Sequence, residues 1–117
     1  MKNKESIQAR YMRDSLPVRL GGLAANLARV ESFSANENHG EVVKSLIEES
    51  KYFIEWTAAD ADLNLQIELV EIQRQLAQWQ HDWTNIWSDE VKRKTVMQQA
   101  GAWSKNVLAS SGLLRVS

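Results

Sequence analysis

Cysteine is absent from the 117 residues, which excludes disulfides, thiolate metal centres and a cysteine nucleophile. One proline, Pro17, and five glycines leave most of the chain free of helix-breaking residues. No run approaches the ~18 consecutive apolar residues of a membrane span, and the charged amino terminus leads into no apolar signal region. Missing too are a Gly-x-Ser-x-Gly elbow, a phosphate-binding loop and a His-Glu-x-x-His pair, so no reaction and no cofactor is assigned. The dense basic stripe of a duplex nucleic-acid binder is also lacking. These absences make a soluble cytoplasmic protein with neither nucleic-acid nor membrane partners the expectation.

The length suits one domain with a core large enough to hold without staples. Net charge is only −1, but it is unevenly placed. Residues 1–29 carry six basic and two acidic groups, residues 30–72 two basic and ten acidic, and residues 73–117 six basic and three acidic. Such asymmetry can steer a partner or align subunits, and it also suits a solvated acidic face on one helix pair. Neighbouring carboxylates such as Glu48 and Glu49, or Glu68 and Glu71, read as solvated helix charges.

Large apolar residues dominate one pattern. Leu65, Leu69, Ile72, Leu76, Trp79, Trp83 and Ile86 step by alternating fours and threes, with Trp87 alongside. At 3.6 residues per turn this spacing keeps side chains on one helical face, predicting a helix over 63–87. Three further helices are predicted over 16–35, 41–59 and 89–111. Ser15 is placed to cap the first, with Pro17 in its first turn, where a missing N–H does no harm. Leu16, Leu20, Leu23, Leu27 and Val30 form its inner face. Val43, Leu46, Ile47, Ser50, Phe53, Ile54 and Thr57 do so in the second, and Val96, Ala100, Trp103 and Val107 in the last. Asn36 to Gly40 is the clearest loop, and Gly112 a helix stop. A break near Asp60-Ala61-Asp62 is preferred to one continuous helix because the core registers on its two sides do not match.

The fold class expected is therefore all-α, a single-domain up-down-up-down four-helix bundle over residues 15–117. Residues 1–14 form a charged preceding segment, read either as frayed or as a short amphipathic turn carrying Ile7, Tyr11 and Met12. Leu113, Leu114 and Val116 are placed to fold back over the bundle end. Gly21, Ala25, Ala28 and Ser32 make a small-residue stripe on the first helix, suited to close packing.

Three constellations bear on function. Trp79, Trp83 and Trp87 could offer a stacking platform to a flat aromatic ligand, but their helical spacing fits core filling better. On the opposite side of the same helix Leu63, Ile67 and Val70 again step by four and three. With Tyr52 and Trp56 from the flank of the preceding helix they would form an apolar patch beside acidic residues, the kind of surface that binds a partner or a second copy. Residues 1–14 are the competing cover for that patch. Lastly, hairpin geometry brings His39 near the level of His81, with Glu37, Asp82 and Asp89 at the same end. His81 faces away from the core line and no Glu-x-x-His pair occurs, so no metal is assigned.

The stretches from Ser15 to Arg29 and from Leu46 to Ala59 resemble small uncharacterised helical proteins of cyanobacteria, and Leu69 to Trp79 does so loosely. That resemblance implies a bacterial cytoplasmic setting and brings no activity with it. The sequence thus predicts a non-catalytic helical module that binds another protein or forms a homodimer through Tyr52, Trp56, Leu63, Ile67 and Val70. A binder of a flat ligand at Trp79, Trp83 and Trp87 is the alternative.

Overall fold

Two aspartates open the last two long helices of the computed structural model, which describes residues 3–113. Asp62 Oδ1 accepts the Leu65 N–H at 2.9 Å. Asp89 Oδ1 accepts those of Val91 and Lys92 at 2.9 and 3.2 Å. Each carboxylate satisfies backbone donors that the first helical turn leaves unpaired. The described residues are all-α, in the order α1 (Lys4–Met12), α2 (Leu16–Phe33), α3 (Gly40–Thr57), α4 (Leu63–His81), α5 (Trp83–Trp87) and α6 (Glu90–Ser111). Short 3₁₀ turns at Glu37–His39 and Ala58–Asp60 flank α3. Gly112 ends α6 at φ +84°, a conformation that costs glycine little.

Six helices thus stand where four were expected, for two reasons. Residues 63–87 do not form one helix. Asp82 leaves helical geometry at φ −105° and ψ 25°, and its carboxylate accepts the Asn85 side-chain amide at 2.7 Å. The second addition is α1. Tyr11 is buried, and its ring stacks on Phe53 with centroids 4.1 Å apart. The Tyr11 hydroxyl donates to the Arg19 carbonyl at 2.7 Å and accepts from Thr57 Oγ1 at 3.2 Å. Aromatic burial with both polar functions paired holds an otherwise charged segment on α3. The break between α3 and α4 is real, with Ala61 in extended backbone.

Packing centres on α2, whose Leu20, Leu23, Leu27 and Val30 are fully or almost fully buried. It lies against both α3 and α6, while α4 packs on α3. The α2–α6 contact is close and antiparallel. Ser104 Oγ donates to the Ala24 carbonyl at 2.7 Å, Gly101 faces Glu31, and Gly21 faces Leu113. The small residues that permit this approach are Gly21 and Ala24 on α2 and Gly101 on α6, whereas Ala25 and Ser32 of the anticipated stripe are exposed. Trp103, expected inside, is half-buried. It meets Trp79 instead, with ring centroids 5.2 Å apart. The α4 and α6 backbones stay farther apart, leaving an open groove of about 510 Å³ between them. Leu114 and Val116 lie outside the described residues.

Candidate interaction surface

The α4 helix buries one side and leaves the other in water. Leu65, Leu69, Ile72, Leu76 and Trp79 line the core side, following the predicted register. Leu63, Ile67 and Val70 on the reverse are 70%, 57% and 53% exposed. They form a strip on the order of 300 Å² of apolar surface, at the size where a patch on a monomer is often functional. Arg74 continues the line one turn on. Its guanidinium meets Glu71 at 2.9 Å, both side chains being largely exposed, so the pair adds little stability.

The five residues expected to form one patch divide into two groups. Trp56 is buried and Tyr52 half-buried. Tyr11 packs against Trp56 with centroids 5.9 Å apart, and the Lys4 ammonium lies 4.2 Å above the Tyr52 ring. Tyr52 and Trp56 also stack on each other at 5.6 Å. The cover raised for Tyr52 and Trp56 is supplied by α1, through Lys4 and Tyr11, while Leu63, Ile67 and Val70 remain bare.

Beneath this cover lies a charge the sequence did not single out. Arg19 is buried and donates to the carbonyls of Asp14 at 3.2 Å and Trp56 at 3.3 Å, and to Asp60 Oδ2 at 3.0 Å. A buried guanidinium is tolerable when its donors are satisfied in this way. It ties the α1–α2 junction to the end of α3. An arginine one position before a core leucine, with Asp60 more than ten turns away in sequence, carries no local signal of this role.

The tryptophans of the alternative site do not share one surface. Trp79 pairs with Trp103, while Trp83 stacks on Trp87 at 5.1 Å. Trp79 and Trp83 are buried. Trp87 Nε1 donates to the Glu37 carbonyl at 2.7 Å, and Arg93 donates to the Trp87 carbonyl at 2.6 Å, so this indole pins α5 to the turn before α3. The groove beside Trp79 measures about 230 Å³, below the ~300–1,000 Å³ usual for small-molecule sites. His39 packs edge-on against Phe33 at 5.2 Å, and His81 is exposed. Among the described residues no three histidine, aspartate or glutamate side chains cluster in a way that could hold a metal ion.

No helix among the described residues is long and apolar enough to cross a membrane. Neither a family model nor a curated protein or solved structure matches the chain.

Proposed function

We propose that the protein is a non-catalytic helical interaction module, a bundle of α2, α3, α4 and α6 that binds a protein surface through the outer face of α4. The observation carrying this reading is the exposure of Leu63, Ile67 and Val70 on one line of a helix whose reverse side is well buried. Three large aliphatic side chains left more than half exposed in one register are apolar area that association would remove from water. Trp56 supports the site from beneath α1 and offers no contact area of its own, while Tyr52 is left half exposed. A photo-cross-linking residue in place of Ile67, expressed in the native host, tests the proposal against the same residue at exposed Ala25 on α2. Adducts are expected at position 67 and not at position 25. Equal or absent cross-linking at 67 defeats the reading.

A further inference from the structure

We infer that the occupant of the α4 face is a second copy of this chain, docked with its own α4 antiparallel about a two-fold axis between Ile67 and Val70. The inference rests on the proposed role of that face and supplies its partner. Its first support is the spacing. Leu63, Ile67, Val70 and Arg74 step by four, three and four, a pattern that reads the same in both directions. Reversing the helix therefore sets Ile67 against Val70 of the second copy and Leu63 against the aliphatic stem of its Arg74. A two-fold interface demands such self-complementarity, since one patch must fit itself.

Charge selects the same orientation. Asp60 and Asp62 stand at the amino end of α4, while Arg74 lies beyond the apolar strip. A parallel pair would bring arginine to arginine and aspartates to aspartates. The antiparallel pair carries each Arg74 to the aspartate end of the other copy and opposes the two helix dipoles head to tail. Area sets the strength. The exposed strip, on the order of 300 Å², falls short of the ~800 Å² per partner of a stable interface. The dimer is accordingly weak and reversible, filling only as the concentration rises.

Sedimentation across a concentration series reads the association, with a monomer–dimer equilibrium expected for the native chain and at least a tenfold weaker one for Ile67→Asp. Orientation is read with thiols, which the native chain lacks. Leu63→Cys and Arg74→Cys alter exposed side chains, and unchanged helical circular dichroism verifies their fold. Treated with a short bismaleimide, a mixture of the two variants is expected to give a cross-linked dimer that neither gives alone. Linkage of each variant to itself, without enrichment in the mixture, overturns the antiparallel register. A native chain that stays monomeric at every concentration overturns the second copy as occupant. In that case adducts at position 67 to a different protein would still uphold the proposed function, and their absence would end both.

Discussion

The ring of Tyr11 lies flat on that of Phe53, with centroids 4.1 Å apart and planes 7° from parallel. This contact turns a charged amino-terminal segment into part of the fold, and the hydroxyl extends it to Arg19 and Thr57. Tyr11→Phe is expected to cost about 1–2 kcal/mol through the lost hydrogen bonds. Tyr11→Ala, which also opens a cavity, should cost about 3–5 kcal/mol. Urea unfolding measures both, and equal losses would show that the ring contributes nothing.

Burial pushes the Tyr11 hydroxyl up from 10.0 to about 12. The folded state then holds this proton more tightly than the unfolded chain does. Its contribution is complete below pH 10 and is lost as the pH rises toward 12, since only the unfolded chain ionises easily in that window. The loss should reach roughly 2–3 kcal/mol. Unfolding free energies of the native chain and Tyr11→Phe, compared between pH 9 and 12, check it. The native chain should show the steeper fall, and parallel curves would contradict the assignment.

Arg19 and Asp60 are unequal partners in their 3.0 Å ion pair, because the arginine is buried and the aspartate side chain is about half exposed. Asp60→Asn should therefore cost less than about 1 kcal/mol. Arg19→Lys should cost more, about 2–3 kcal/mol, since a single ammonium cannot reach Asp14, Trp56 and Asp60 together. Thermal unfolding of the two variants ranks them, and the reverse order would refute this account.

Two glycines predict unequal responses to alanine. A Cβ on Gly40 would come within 2.8 Å of Trp87 Nε1, a ring held by its bond to Glu37. Gly40→Ala should displace the indole, shift its fluorescence and cost about 1–3 kcal/mol. The three atoms nearest a Cβ on Gly101 all belong to the carboxylate end of Glu31, a flexible side chain that can swing aside. Gly101→Ala should be near neutral, because the helix-propensity gain of about 1 kcal/mol offsets the adjustment.

Capping residues separate in the same way. Asp62→Ala removes an observed bond to Leu65 N–H and should cost ~1 kcal/mol. Ser15 stands at the corresponding position of α2, but its hydroxyl makes no capping bond, so Ser15→Ala should cost only a few tenths. Chemical denaturation distinguishes the two.

Much of this architecture was legible because it is local. The four-and-three spacing from Leu65 to Trp79 gave the buried side of α4, and the same geometry placed Leu63, Ile67 and Val70 opposite it. The break near residues 60–62 and the stop at Gly112 were likewise legible, because turn and helix-end chemistry acts within a few residues. The division at Asp82 was not visible in that way, since the apolar register runs straight through to Ile86. It coincides with a long-range restraint, the bond from the Trp87 indole to the Glu37 carbonyl.

The candidate surface divides along the same boundary. The sequence by itself determined that α4 has two apolar sides, because periodicity is a property of neighbouring residues. Only the tertiary structure decided that α1 covers Trp56 and much of Tyr52 while Leu63, Ile67 and Val70 stay bare. Tyr11 and Phe53 lie far apart in the chain, and whether they stack depends on the free energy of folding the whole molecule. Exposure is what remains after every such long-range contact has been made, so no local pattern could assign it.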